Sequence, residues 1–212
     1  MSAHLPRSLP ALLIVVALGS GCAGAGASPE PAPAPAATPA RQPNPADLRF
    51  INGMIHHHSQ ALVMAELART RAGAEAVRTL SERIHVSQTD EIRLMQLWLS
   101  DNGQPVPQVH VMGTTVMIHG PGHEHTMMMP GMLTQAELDQ LERSRGAEFD
   151  RLFLRLMIRH HEGALQMVEE LLASPGAAND DVIYRMASDT FADQGIEIDR
   201  MRRLLDALEG SR

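Results

Sequence analysis

The chain has no lysine, a single cysteine and few aromatic residues. Its 18 basic residues are therefore all arginine, and 25 acidic residues give a formal net charge of −7. This argues against a nucleic-acid-binding protein, because that function needs a basic face. One cysteine excludes an intramolecular disulfide, so the fold depends on its apolar core. Aromatic residues make up 3% of the chain, which favours a helical protein over a β-sandwich.

Methionine and histidine are present in surplus, with 14 and 11 copies among 212 residues. This length allows one compact domain or two small ones, at about 100–200 residues per domain. No cysteine or serine nucleophile with a general base is evident, and no glycine loop of the phosphate-binding type occurs. We therefore favour a binding protein over an enzyme.

Residues 1–22 have the pattern of an export signal. Arg7 precedes an apolar run over 9–18 that is too short to span a bilayer. The small residues that follow lead to Cys22, which resembles the lipidation site of a bacterial lipoprotein, although Gly19 stands where an aliphatic residue is usual. An ordinary secretory signal cut nearby is the alternative. Both predict export into the bacterial cell envelope, facing the periplasm or the cell surface. Only the lipoprotein would contact the membrane, and it would do so through its lipid anchor alone.

Residues 23–46 are rich in proline and alanine and predict a disordered tether. From residue 47 to residue 212 apolar residues recur at spacings of three and four, which predicts a helical domain. The segment over about 104–133 is rich in His, Met, Gly and Pro and predicts a loop. The predicted helices cover about 47–71, 74–100, 134–173 with a break near Gly146, and 178–209.

The domain contains two similar halves. Residues 50–64 align with residues 153–167 at a constant offset of 103, and Gln-x-x-Glu-Ile-x-x-Met occurs at 88–95 and again at 194–201. Two helical hairpins that cannot cover their own apolar faces should pack together. We therefore predict an all-α fold, an antiparallel four-helix bundle made from two repeated hairpins, with a site between facing helices.

Each half places metal-binding side chains on one inward arc, at 100° per residue. Imidazole suits copper, zinc and iron, whereas thioether sulfur favours Cu(I), so Met with His and without Cys favours copper, with silver as a second soft cation, over zinc or iron. His56 lies opposite this arc, and its counterpart is Arg159, so we expect it to face solvent. The predicted ligands are Met54, His57, His58, Met64, Met157, His160, His161 and Met167; the residues expected to support them by hydrogen bonds are Gln88, Glu91, Gln194 and Glu197.

The segment between the halves is a second candidate metal site. Short tracts rich in His and Met in exported proteins bind metals, and flexible ligands suit capture or transfer. An apolar connector without a metal is the alternative. The candidate ligands are His110, Met112, Met117, His119, His123, His125, Met127, Met128, Met129 and Met132.

The doubled signature Met-Ile-x-His-His at 54–58 and 157–161 resembles the exported domain of unknown function 305 family. The motifs Gln88-x-x-Glu91-Ile92-x-x-Met95 and Pro130-Gly131-Met132-Leu133 add to the resemblance, which covers the chain from Phe50 to its end. It implies a ferritin-like helical bundle in the bacterial envelope, and some members of the family are associated with copper binding and copper tolerance.

Three functions stay open at this point. The first is sequestration or transfer of Cu(I), with a copper-handling protein or a second copy of the chain as a partner. The second is a di-iron oxidase of the ferritin-like kind, which needs a Glu-x-x-His motif on each of two helices. That motif occurs at Glu82 to His85, but its counterparts are Ser188 and Phe191. The third is a metal-free interaction module whose histidines are structural, because Met at helical spacing usually fills a core.

Overall fold

A computed structural model describes residues 42–119 and 128–210, which form a mostly helical structure with one small sheet. The two most extensive helix pairings are between neighbours in sequence, and one helix of each pair also packs against the other pair. The elements are α1 Pro45–Arg71, α2 Glu75–Asp101, β1 Gln108–Met112, β2 Thr115–His119, α3 Gln135–Arg143, α4 Gly146–Ala173 and α5 Asp181–Gly210.

The helix ends follow local chemistry. The side chain of Asn44 accepts a hydrogen bond from the backbone N–H of Ala46, and Pro45 occupies the first turn, where a missing N–H costs nothing. Thr134 and Glu137 form the predicted capping box at the start of α3. The expected break near Gly146 separates α3 from α4, and Gly146 has a positive φ of 59°.

The predicted loop over 104–133 is partly wrong, because it contains an antiparallel β-hairpin of β1 and β2. The all-α prediction therefore fails in this segment. The strands form because β-branched residues alternate with His and Met on both sides of a two-residue turn, and Gly113 takes the positive φ of 62° that such a turn needs. The β-branched positions are Val109, Val111, Val116 and Ile118.

Two buried carboxylates tie α1–α2 and α4–α5 together. Asp150 of α4 accepts hydrogen bonds from the backbone N–H groups of Gly73 and Ala74, at 3.0 and 2.8 Å, in the connection before α2. Asp47 of α1 accepts one from the N–H of Ala178, at 2.8 Å, in the connection before α5. Each helical pair thus satisfies backbone donors that precede a helix of the other pair. Neither carboxylate is among the residues predicted from the sequence to have a role, although their separation equals the offset of 103 residues between the two halves.

The core consists of two apolar clusters. Each of the four long helices contributes one part to the first cluster and another part to the second. Buried polar residues lie between these two parts. Six of these residues form what we call the polar layer: His57 and His58 on α1, Gln88 on α2, His160 and His161 on α4, and Gln194 on α5. Within the described ranges, no helix has the length and apolar character needed to cross a membrane.

Candidate metal centre

His57 of α1 and His160 of α4 meet in the centre of the polar layer. Both side chains are fully buried, and their ring centroids lie 3.8 Å apart with an interplanar angle of 38°. Burial, reinforced by the neighbouring His58, lowers the pKa of His57 to about 3. Burial and then His57 lower the pKa of His160 well below its ordinary value. Both imidazoles are therefore neutral at physiological pH, which is the form that binds metals.

The hydrogen bond of His57 fixes which of its nitrogens is available. Its Nε2 donates to the carbonyl oxygen of Pro130 at 3.0 Å, and a carbonyl oxygen can only accept, so Nε2 carries the proton. The lone pair of a neutral ring then lies on Nδ1, which is buried and has no hydrogen-bond partner among the described residues. His160 makes no well-aligned hydrogen bond with any described residue, although the peptide group of His57 lies near enough to affect its pKa.

The other two histidines of the polar layer are each held by a glutamate. His58 Nε2 lies 2.6 Å from Glu91 Oε2, and His161 Nε2 lies 2.7 Å from Glu197 Oε2. Burial opposes ionisation of Glu91, but its hydrogen bonds with His58 and with two hydroxyl groups outweigh burial, so the pKa of Glu91 lies below its ordinary value. A carboxylate acceptor at Nε2 orients the ring of His58, and its buried Nδ1 has no hydrogen-bond partner among the described residues.

Unpartnered polar atoms are concentrated in this layer. Nine buried side-chain nitrogen and oxygen atoms of its four histidines and two glutamines have no hydrogen-bond partner within the described part of the chain. Each unsatisfied buried group costs about 1–3 kcal/mol, so native proteins rarely leave several together unless a ligand or ordered water completes them. Gln88 and Gln194 contribute both atoms of their amide groups.

Methionine sulfurs flank the polar layer on both sides. Met54 and Met167 belong to one apolar cluster, whereas Met64 and Met157 belong to the other. Within residues 42–119 and 128–210, no three His, Cys, Asp or Glu side chains are grouped so that they could hold a metal ion. A metal ion bound here therefore depends on imidazole and thioether donors together.

The turn that carries Pro130 is clamped against α1 and α4. Gly131 has a positive φ of 75°, and a Cβ on Gly163 of α4 would overlap the Pro130 carbonyl group and lie 2.7 Å from Gly131 Cα. On the other side, Gln60 of α1 donates to the oxygen of Leu133 at 2.9 Å and accepts from its N–H at 2.8 Å. The clamp holds the acceptor of the His57 proton in place. Composition and periodicity did not reveal Gln60 or Gly163 as functional candidates.

The ten candidate ligands between the two halves do not form one group. His110, Met112, Met117 and His119 lie on the β-hairpin. Met132 is buried in the interior. Met128 and Met129 line a surface pocket of about 390 Å³ together with Met167. His123, His125 and Met127, like Cys22, lie outside the described residues.

The methionine-lined pocket lies beside α1 at a glycine. A Cβ on Gly53 would lie 3.2 Å from Met129 Sδ and 3.2 Å from Met167 Cε, so the missing side chain leaves room for both methionines. Pro130, the partner of His57, lines the same pocket. The pocket thus brings thioether groups from the connecting segment and from α4 to one edge of the centre.

His56 and Arg159, which occupy equivalent positions in the two halves, differ in exposure. Arg159 is exposed and binds Glu137 of α3 at 2.7 Å, as expected for a surface position. Its counterpart His56 is half-buried, so the expectation that His56 faces solvent holds only in part. Neither residue belongs to the polar layer.

Together, the fold and the centre define a helical protein with neutral imidazoles and thioethers enclosed between two helix pairs. Residues 47–205 match the domain of unknown function family DUF305, and the chain belongs to this family, as the sequence predicted. Among proteins with curated descriptions, none matches the chain.

Solved structures of similar sequence support the same fold. A DUF305 fragment from Deinococcus radiodurans is 30% identical, with a TM-score of 0.64 over 79% of this chain and 99% of that chain. A candidate secreted DUF305 protein from Streptomyces coelicolor is also 30% identical, with a TM-score of 0.64 over 77% of this chain and 94% of that chain. CopM in its Cu(I)-bound form is 26% identical, with a TM-score of 0.56 over 76% of this chain and 96% of that chain. CopM structures with Cu(II) and with Ag are similar as well.

Proposed function

We propose that this protein binds Cu(I) between its two helix pairs and sequesters it, or hands it on, in the bacterial cell envelope. The observation that carries the proposal is the contact of two neutral, fully buried imidazoles from α1 and α4, whose ring centroids are 3.8 Å apart. His57 Nδ1 and a nitrogen of His160 would bind the ion, which is the cargo of the protein. His58 and His161 and the flanking methionines Met54, Met64, Met157 and Met167 complete the proposed donor set.

The donor chemistry favours a soft, monovalent ion. Thioether sulfur binds Cu(I) well, whereas structural and catalytic zinc sites and non-haem iron sites use His with Cys, Asp or Glu. A monovalent ion with neutral ligands also adds only one positive charge to a buried site, which limits the desolvation cost. Silver(I) shares this chemistry and is the proposed second cation, while zinc and iron fit the donor set less well.

The similar structures support this proposal. CopM has been solved with Cu(I), Cu(II) and Ag, and it is 25–28% identical to this chain. We also propose that the four long helices act as one ferritin-like bundle in which two repeated hairpins enclose the ion, since α1 packs against α2 and α4, and α4 against α5.

The proposed location is the periplasm or the cell surface. The export pattern of residues 1–22, a tether that ends where α1 begins at Pro45, and lipidation at Cys22 are parts of this proposal that follow from the sequence. The candidate secreted relative from Streptomyces coelicolor supports export. The proposed partners are metal ions, together with a copper-handling protein or a second copy of the chain in a homo-oligomer.

A di-iron oxidase is less well supported by the side-chain positions. Glu82 is exposed and lines a surface pocket with His85, and no residue of the polar layer lines this pocket. The two glutamates nearest the centre, Glu91 and Glu197, are each committed to a histidine of the polar layer. The ferritin-like di-iron sites need several carboxylates that face one another inside the bundle.

A metal-free interaction module explains the buried histidines only at a high energetic cost. A structural role would require hydrogen-bond partners for the polar layer, and nine of its atoms have none within the described residues. A bound ion would use the free imidazole lone pairs of this layer and so remove much of that cost.

Titration of the full-length protein with Cu(I) against a competing chelator tests the proposal. We expect binding tighter than about 1 µM, equivalent to about 8 kcal/mol, in the wild type. The double variant His57→Ala with His160→Ala should lose this binding while far-ultraviolet circular dichroism stays helical. His85→Ala, a histidine outside the polar layer, is the matched control and should bind as the wild type does. Weaker binding in the wild type, or equal binding in the double variant, would contradict the proposal.

A further inference from the structure

The β-hairpin presents four metal-binding side chains on a single face. In the antiparallel register, His110 pairs with Met117, Gln108 with His119, and Met112 with Thr115. Because paired residues share a face and alternate residues of a strand lie on the same side, His110, Met112, Met117 and His119 all lie on one side of the hairpin. All four side chains are exposed, including Met112 at 67%.

The two histidines of this face are already close together. His110 and His119 are diagonal neighbours across the strands, and their ring centroids lie 5.3 Å apart in an edge-to-face arrangement. Two nitrogens that each lie about 2.0–2.1 Å from one metal ion are at most about 4 Å apart. Rings at the observed separation can present nitrogens at that distance with only side-chain rotation. Met117, directly opposite His110, has its Cβ within about 4.5–5.5 Å of that of His110.

The opposite face and the turn hold the hairpin in place. Val109 packs against the apolar cluster that contains Met54, and Val116 and Ile118 are half-buried. At the turn, Thr114 is buried and its hydroxyl oxygen accepts a hydrogen bond from Gln135 Nε2 of α3 at 2.8 Å. The apolar side therefore faces the protein except at Val111, which is exposed, and the His and Met side faces solvent.

Packing does not explain four such residues at exposed positions. Exposed hairpin positions usually carry polar or charged side chains, and Met112, which is 67% exposed, gains little from burial there. The alternation is also regular. Between residues 110 and 119, every residue on this face is His or Met except Thr115. Imidazole and thioether donors together are the pattern that favours Cu(I) and Ag(I).

The geometry points to a second metal site, on the surface, in which His110, His119, Met112 and Met117 capture Cu(I) or Ag(I) from solvent. It extends the proposed function with a solvent-exposed site whose ligands exchange readily, separate from the enclosed centre. It rests on the same soft-metal chemistry but on different residues, so either site can exist without the other.

Silver(I) is a suitable probe because it does not change oxidation state. The full-length protein, labelled with ¹³C at the methionine methyl groups, is titrated with Ag(I), and the methyl signals are followed by NMR. Met112→Leu and Met117→Leu assign the hairpin signals, and Met54→Leu and Met157→Leu assign those of the centre. We expect the Met112 and Met117 signals to shift as about one equivalent of Ag(I) binds in addition to the Ag(I) bound by the centre.

The variant His110→Ala with His119→Ala should raise the Ag(I) concentration needed to shift the Met112 and Met117 signals by about tenfold or more. Gln108→Ala, exposed on the same face, is the matched control and should leave the titration unchanged. Hairpin signals that stay still, or that shift equally in the double variant, overturn the inference. If the hairpin signals shift and those of Met54 and Met157 do not, the result supports the surface site and contradicts the proposed function of the centre. If the signals of Met54 and Met157 shift and the hairpin signals do not, the result contradicts the surface site alone.

Discussion

Substituting Gly163 by alanine should destabilise the protein and weaken copper binding, although alanine is the better helix former. Gly163 lies within α4, where Gly→Ala alone should add about 0.5–1 kcal/mol of stability. The new Cβ, however, would overlap the carbonyl group of Pro130 and lie 2.7 Å from Gly131 Cα. Relief requires the turn to move away from α4, because both obstacles are backbone atoms.

The cost can be worked out from what the movement breaks. Forcing an extra methyl group into a packed contact costs about 1–3 kcal/mol. Moving Pro130 also breaks the 3.0 Å hydrogen bond from His57 Nε2, and an unsatisfied buried group costs about 1–3 kcal/mol. After the helix-propensity gain is subtracted, we expect a net loss of about 1–5 kcal/mol in the free energy of unfolding.

Gly195 provides the matched control. It lies within α5, and a Cβ there would meet no described atom within 4 Å. Gly195→Ala should therefore raise the free energy of unfolding by about 0.5–1 kcal/mol. Urea denaturation of the metal-free protein measures both variants, and Cu(I) titration should show weaker binding for Gly163→Ala only. If the two variants are equally stable and bind Cu(I) equally, the clamp does not hold His57 in its binding orientation.

The remaining predictions concern the polar layer and the buried carboxylates. Because the pKa of His57 falls from 6.5 to about 3 on folding, the folded state binds fewer protons, so stability should fall as pH drops from 6.5 toward 3. The loss from His57 alone is about 2 kcal/mol at pH 5, and urea titrations of metal-free protein at pH 7 and 5 that agree would refute it. Glu91→Gln and Glu197→Gln should each weaken Cu(I) binding by about 10–100-fold in chelator competition, whereas unchanged affinity would show that these carboxylates do not tune the imidazoles. Asp150→Ala should lower the free energy of unfolding by about 2–4 kcal/mol because two backbone N–H groups lose their acceptor, and a loss no larger than that of the exposed Asp90→Ala would contradict this.

The features that the sequence predicted well are local or periodic. The inward arc of α1 followed from 100° per residue, and the structure buries all of its members from Met54 to Met64. Glu91 was expected near a histidine because a buried carboxylate needs a donor, and it lies against His58. Helix geometry alone decides which side chains of one helix share a face, so these expectations needed no knowledge of tertiary packing.

The features that were missed depend on packing between elements. Which imidazoles meet is settled by how α1 lies on α4, and this brings His57 to His160 while His58 faces Glu91. Gly163 and Asp150 contact backbone groups that are distant in the chain. Because such contacts depend on how the elements pack, they cannot be predicted from composition. The hairpin had a signal in its alternation, but five residues per strand give a weak periodicity against a background of Met, Gly and Pro.

A crystal structure of the full-length protein loaded anaerobically with Cu(I), with anomalous data collected at the copper edge, would locate the bound ion. We expect an anomalous peak in the polar layer, within bonding distance of His57 Nδ1 and of a nitrogen of His160, with a methionine sulfur completing the site. Copper found only elsewhere on the protein, with the two imidazoles still in contact and unliganded, would contradict it.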